Sequence, residues 1–161
     1  MQYLLAHNEY MDKFRIYELV EVEERTVAAI RKLLAQLSSS EHSFGADELQ
    51  AIVESSYTHL FVAEYGKGIC GMLTLGEYLA PTGRKMWIED VVVDEAVRGN
   101  SIGRRLVEHA QAYAASSGGG VLMLTSRPSR VAANNLYRSC GFGIKETNIY
   151  RMCVADKKSP V

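Results

Sequence analysis

The segment Val93-Asp94-Glu95-Ala96-Val97-Arg98-Gly99-Asn100-Ser101-Ile102-Gly103-Arg104-Arg105-Leu106 leads from an apolar run into an amphipathic one. Gly99 and Gly103 let the backbone come close to a neighbouring group. A helix that starts near Ile102 points its first free amides, and a partial positive charge, out of its N-terminus, which is an arrangement that binds phosphate. Arg98, Arg104 and Arg105 add local cationic charge. Arginines at this end of a helix oppose its dipole, which makes sense beside a bound anion; solvated arginines on a glycine-containing turn fit the loop alone equally well. No Gly-Lys-Ser/Thr follows the glycines, so the loop is not a Walker loop, and no GxGxxG opens a strand–helix–strand unit.

Two acids, Glu89 and Asp90, interrupt the otherwise apolar run from Met86 to Val93. Carboxylates there are costly unless paired, hydrated or used. Strand alternation puts Trp87, Glu89, Val91 and Val93 on one face and Ile88, Asp90 and Val92 on the other. The plain alternative is that one acid pairs with an arginine such as Arg127. In Ser126-Arg127-Pro128-Ser129-Arg130, Ser129 suits a helix N-cap. Arg127 and Arg130 suit either an anion or a solvated loop. Tyr137 lies on the apolar side of the helix that follows, with Ala133, Leu136 and Cys140, and by periodicity alone reads as a core aromatic.

These groups must be positioned by elements that the hydrophobic pattern outlines. Strands are expected at 14–19, 59–65, 69–77, 86–94, 121–125 and Ile149–Val154, and helices at 24–37, 46–55, 103–116 and 130–140. Gly66-Lys67-Gly68 and Pro81-Thr82-Gly83 read as hairpin turns, and Gly118-Gly119-Gly120 ends a helix. The order predicts an antiparallel meander followed by a parallel strand–helix–strand unit in one mixed α/β sheet, with the connection right-handed. Ligands of such sheets bind at the carboxyl ends of the parallel strands.

The 161 residues suit one domain, 1–161, with a frayed tail at 156–161, since no repeat, linker or composition break divides them. At 47% hydrophobic and 23% charged the chain is globular and not disordered. Eighteen basic and 19 acidic residues give a net charge of −1, which argues against nucleic acid or an anionic membrane surface as partner. No apolar run approaches the roughly 18 residues of a membrane span. The N-terminus lacks a basic region and a long apolar core, so a cytoplasmic location is expected. Cys70, Cys140 and Cys153 are odd in number and read as buried reduced thiols. His7, His42, His59 and His109 are scattered and read as surface or packing residues, and no metal site is expected.

The Arg98–Gly103 loop resembles the (Arg/Gln)-x-x-Gly-x-(Gly/Ala) pyrophosphate loop of the GNAT family of N-acetyltransferases. Ala133–Phe142 resembles that family's A-x-x-L-Y-x-x-x-G-F helix. Their separation and the strand order match over essentially the whole domain; Ser101 departs from the pattern, standing where the family usually has glycine. The resemblance implies a GNAT-like acyl-CoA N-acyltransferase fold. It also implies transfer of an acetyl group from acetyl-CoA to a primary amine by direct attack. The acceptor would be a small molecule or a peptide. Acetyl-CoA would lie between the Met86 and Val121 strands. Val91, Val92 and Val93 would offer backbone to its pantetheine arm, with Val91 and Val93 polarising the thioester carbonyl. Arg98, Gly99, Asn100, Ser101, Ile102, Gly103 and Arg104 would cradle the pyrophosphate, and Asn134 would bond the pantetheine region. Tyr137 would protonate the departing thiolate. Glu89 is then the candidate base, directly or through water, and Asp90 the second. Another acyl-CoA donor, and a CoA-binding sensor or partner module without turnover, are the alternative readings, and a homodimer is compatible with them all. Acceptor choice is expected from the Ser38–Gly45 segment and the Tyr78–Lys85 turn.

Overall fold

The computed structural model describes residues 14–38, 43–66 and 68–154. His7, His42 and the tail at 156–161 lie outside the described residues. Strand β1 (Phe14–Glu18) leads to helices α1 (Glu24–Leu37) and α2 (Ala46–Val53), then to β2 (Thr58–Tyr65), β3 (Gly68–Ala80) and β4 (Gly83–Val93). A 3₁₀ turn (Glu95–Val97), helix α3 (Ile102–Ser116), strand β5 (Val121–Leu124) and helix α4 (Val131–Ser139) complete the order. The five strands form one sheet in the order β1-β2-β3-β4-β5. All neighbours are antiparallel except β4 and β5, which run parallel. The expected meander and parallel unit are both present.

Each helix forms because its apolar residues recur on one side, and each buries that side against the sheet. Val27, Ile30 and Leu33 of α1 and Leu49 of α2 cover Leu60, Val62, Met72 and Val92 on one face. Leu106, Val107 and Ala110 of α3 and Tyr137 of α4 cover Phe61, Leu73, Leu75, Met86 and Ile88 on the other. Burial of each such aliphatic side chain contributes about 1.5–3 kcal/mol, so both faces of the sheet are held against helices.

A β-bulge near the end of β4 changes the expected side-chain alternation. Met72 opposes Val92 and Thr74 opposes Glu89, so the single residue Leu73 faces both Asp90 and Val91. Asp90 takes a left-handed conformation, φ 51°, to accommodate the extra residue. The faces therefore exchange at this point. Val91 and Val93 pack on the α3 side with Ile88, whereas Val92 is buried beneath α1. Strict alternation had put Val91 and Val93 on the face opposite Ile88.

The strand expected at Ile149–Val154 is not formed. These residues join no ladder, and Ile149, Tyr150, Met152 and Val154 stand exposed. Their alternating pattern specifies a segment able to pair, but pairing also needs an available edge in register. Cys153 is exposed with them, contrary to the expectation of burial; Cys70 is buried and Cys140 half-buried, and all three are free thiols.

Among the histidines, His59 is buried, and the structure gives it partners. Its Nδ1 lies 2.7 Å from Glu18 Oε1, and the Tyr113 hydroxyl lies 2.9 Å from its Nε2. This chain joins the end of β1 to β2 and α3, and satisfies a polar ring that burial would otherwise penalise. His109 packs edge-on against Phe61, and burial lowers its pKa.

The parallel pairing of β5 depends on close backbone approach at its start. Gly120 has φ 144°, and a Cβ there would stand 2.8 Å from the Arg84 carbonyl oxygen. Gly120→Ala is expected to cost about 2–3 kcal/mol through strain and displacement of β5. A thermal melt checks this; an unchanged melting temperature would contradict the close approach of β5 to β4.

Candidate active site

The parallel ladder runs from Lys85↔Val121 to Ile88↔Leu124 and stops there. The bulge follows at once on β4, and β5 gives way to the loop 125–130. Beyond Ile88, then, the edge of β4 that faced β5 has no strand beside it among the described residues. The gap opens into a cleft of about 1120 Å³ that passes from the α1 side of the sheet to α4. That is at the upper end of ligand-pocket sizes.

Glu89, Asp90 and Val91 line the cleft from β4, and Thr125, Ser126, Arg127, Ser129 and Arg130 line it from the loop after β5. Tyr137 lines it from α4. Tyr137 is buried, with its ring edge-on to Phe142 and packed in the core, as periodicity required. Its hydroxyl has no hydrogen-bond partner among the described residues. Burial raises its pKa, so it holds its proton at neutral pH. Glu89 has its pKa raised first by desolvation and then by the neighbouring charge of Asp90. No arginine pairs with Glu89 or Asp90 among the described residues. The Ser126 hydroxyl oxygen is buried and has no hydrogen-bond partner among the described residues.

The loop after β4 lies at the same end of the sheet. Asp94 ends the strand, accepts from the Ala96 N–H at 3.1 Å and pairs with Lys32 of α1 at 2.5 Å. The hydrogen bond from Lys32 is the first cause that holds the Asp94 carboxyl below the usual carboxylate range, and the Ala96 amide is the second. The Glu95 N–H donates to Gln36 Oε1, a second tie to α1. The first hydrogen bond of α3 runs from the Arg105 N–H to the Ser101 carbonyl, so the amides of Ile102, Gly103 and Arg104 precede the helical ladder. The Ile102 side chain itself is core. A Cβ at Gly103 would touch Leu136 at 3.4 Å, so this glycine serves the seam between α3 and α4.

The arginines divide differently from the sequence expectation. Arg98 donates from Nε to the Val93 carbonyl, which braces the loop. Arg104 reaches across to Ser139 of α4 and to Glu108. Arg105 stacks on Phe14 of β1, away from the loop. Asn100 donates to the Val97 carbonyl. Asn134 donates from Nδ2 to the carbonyls of Arg127 and Arg130, so its amide nitrogen shapes the loop that enters α4. Helix α4 is capped by Arg130 with no side-chain bond, one residue after the expected Ser129. Val92 offers only backbone, because its side chain lies under α1.

Sequence reasoning missed the apolar wall of the cleft. Leu34 and Leu37 of α1, Phe44, and Ile52 of α2 line it, together with Leu60 and Met72 of the sheet. Leu34, Leu37 and Ile52 recur at helical spacing with the core residues of α1 and α2, and that spacing does not distinguish core from cleft. Ser38, Ser43 and Phe44 of the expected specificity segment do reach the cleft, with 39–42 outside the described residues. The 78–85 turn lies elsewhere: Arg84 is bonded to Glu77 and Ser117. Among the described residues no group of acidic, histidine or cysteine side chains is arranged to hold a metal ion, and no helix is long and apolar enough to cross a membrane.

A family model described as the acetyltransferase (GNAT) family matches residues 15–142, which contain both the loop after β4 and the helix of Tyr137. The chain belongs to the acetyltransferase (GNAT) family. Solved structures agree with this acetyltransferase fold. An aminoglycoside acetyltransferase from an uncultured soil metagenomic sample superposes with a TM-score of 0.75 at 17% identity, covering 90% of this chain and 98% of its own. The glucosamine-6-phosphate N-acetyltransferase of Arabidopsis thaliana gives 0.71 at 24% identity, over 86% and 97%. A ribosomal-protein-alanine N-acetyltransferase of Brucella melitensis gives 0.70 at 16%, over 88% and 99%. No curated protein sequence matches the chain.

Ser101, where GNAT acetyltransferases usually have glycine, is left-handed at φ 58° and caps α3 without a side-chain hydrogen bond. A left-handed serine costs about 1–2 kcal/mol, and glycine recovers this less about 0.5–1 kcal/mol of backbone entropy. Ser101→Gly is therefore expected to melt at or slightly above the wild-type temperature, and Ser101→Val well below it. A clear loss of stability in the glycine variant would show that the hydroxyl contributes a bond.

Proposed function

We propose that this acetyltransferase moves an acetyl group from acetyl-CoA to a primary amine by direct attack in the cleft between β4 and β5. The observation that carries the reading is that Glu89 and Tyr137 line one cleft at the point where the parallel ladder ends. The residues present fit the donor. The β4 edge beyond Ile88 can take an extended amide-bearing arm as it would take a strand. The amides of Ile102 to Arg104 suit a pyrophosphate, and the buried Ser126 hydroxyl is a polar group still to be satisfied. When bound, acetyl-CoA supplies the activated thioester.

Each residue then has a definable task. The backbone N–H of Val91 on the open edge is a fixed dipole for the carbonyl oxygen as it gains charge. Glu89, directly or through water, accepts the proton that the attacking ammonium must lose. Its raised pKa makes it a better base than an ordinary glutamate wherever it is ionised. Asp90, one residue on, raises that basicity by its charge. Tyr137 gives its proton to the departing sulfur and is restored by the second proton that the nitrogen sheds as the amide forms. The new bond is nitrogen to carbonyl carbon, the broken bond is carbon to sulfur, and the products are an amide and the free CoA thiol. No cysteine lines the cleft among the described residues, which favours direct transfer over a thioester on the protein.

Two variants test these roles. In Tyr137→Phe the ring and its packing survive, so the melting temperature is expected to fall only modestly. The kcat is expected to fall about 30- to 900-fold, equivalent to about 2–4 kcal/mol, while the KM for acetyl-CoA stays near wild type. Full turnover in Tyr137→Phe with loss only in Tyr137→Ala would make the residue packing alone. For Glu89 the sign follows from its raised pKa. Protonation disables a base, so wild-type kcat/KM rises as pH climbs through a value above the usual glutamate range. Glu89→Gln is expected to lose that rise, with its deficit largest at low pH and shrinking as the amine itself deprotonates. A pH–rate profile that matches wild type would transfer the role to Asp90 or to water.

A further inference from the structure

Resting on that reading of the cleft, we infer that the acceptor is a primary amine with an apolar body, an arylalkyl or alkyl amine, and not a polyhydroxylated or polycationic one. The cleft has two dissimilar ends. Tyr137, Arg130 and the loop after β5 occupy the end where the donor's sulfur must leave. The opposite end, under α1 and α2, is built from Leu34, Leu37, Phe44, Ile52, Leu60 and Met72. Glu89 and Asp90 stand between the two and are the only carboxylates among the described lining residues.

This distribution matches one kind of acceptor. The ammonium is attracted to the carboxylates at the reacting point, and the rest of the molecule must lie along the apolar wall. Leu34, Leu37, Phe44 and Ile52 are only half-buried, so an apolar ligand would remove their remaining exposed surface from water. Of the described residues around that wall only Ser38, Ser43 and Thr74 offer hydroxyls, fewer partners than the several hydroxyls of a sugar amine would need. A polyamine would bring further charges for which the described lining residues hold no third carboxylate, the two present being taken by the reacting nitrogen. Arg127 and Arg130 line the cleft as cations and disfavour additional ammonium groups. A site that leaves buried polar groups unpaired rejects their owner strongly, which makes the preference measurable.

The experiment follows release of the CoA thiol by the full-length protein with acetyl-CoA and four amines: 2-phenylethylamine, hexylamine, spermidine and glucosamine. The apolar pair is expected to exceed the polar pair by about tenfold or more in kcat/KM. Leu37→Gln and Phe44→Ala are each expected to raise the KM for 2-phenylethylamine by about tenfold without changing acetyl-CoA affinity measured by calorimetry. Leu37 is the last residue of α1, so its exchange spares the helix interior. If either variant melts early, the wild-type amine series decides. Spermidine or glucosamine turned over as well as the apolar pair would overturn the inference and leave the transfer reading standing. An unchanged KM in both folded variants would do the same. Thiol release with none of the four amines, in a protein that binds acetyl-CoA, would overturn the inference alone, whereas no binding of acetyl-CoA by calorimetry would overturn the transfer reading and this one with it.

Discussion

One extra residue in β4 governs the site. With Asp90 and Val91 both set against Leu73, the strand bends and parts from β5 just after Ile88. Had the ladder continued, the β4 edge would be hydrogen-bonded to β5 and the cleft would be closed by sheet. The bulge also rotates Val91 and Val93 to the α3 side, which leaves Glu89 and Asp90 adjacent at the opening. The two positive-φ residues other than glycine among the described residues are Asp90 and Ser101, one at the splay and the other at the start of α3. Backbone strain is thus concentrated at the two places where ligand groups are expected, which is where folds tolerate it when the surroundings determine the conformation.

The chemistry of the neighbouring arginines shows how a loop can be cationic in sequence and structural in space. Arg98 and Arg104 spend hydrogen bonds on a strand carbonyl and on Ser139, and Arg105 lies on an aromatic ring. With these side chains engaged, the groups this segment leaves before the helical ladder are the backbone amides of Ile102, Gly103 and Arg104. Amides fixed by the helix cost no side-chain entropy on binding, whereas a flexible arginine does.

Much of this was legible in the amino-acid pattern. Helix α1 at 24–37 and the antiparallel meander followed from periodicity, because burial on one face imposes those spacings. The positions around Gly103 and Tyr137 were legible as motifs. The bulge was not, since no glycine marks it and Asp90 is an ordinary strand-breaking residue whose left-handed φ appears only in context. The face of Val92 was misjudged for the same reason. Leu34 and Leu37 could be seen to be apolar, but whether an apolar residue meets protein or an empty cleft depends on how helix and sheet diverge, which local sequence does not encode. The segment 149–154 carries a strand pattern without a strand partner, a case where propensity is set aside by the tertiary arrangement.

Lys32 and Gln36 sit one turn apart on α1 and fasten it to Asp94 and Glu95. The same helix presents Leu34 and Leu37 to the cleft. A rod pinned in this way to the strand end cannot tilt without dragging the entrance to α3 along. A shift of α1, and with it of Leu34 and Leu37, would therefore have to break these two ties or carry along the segment that leads into α3.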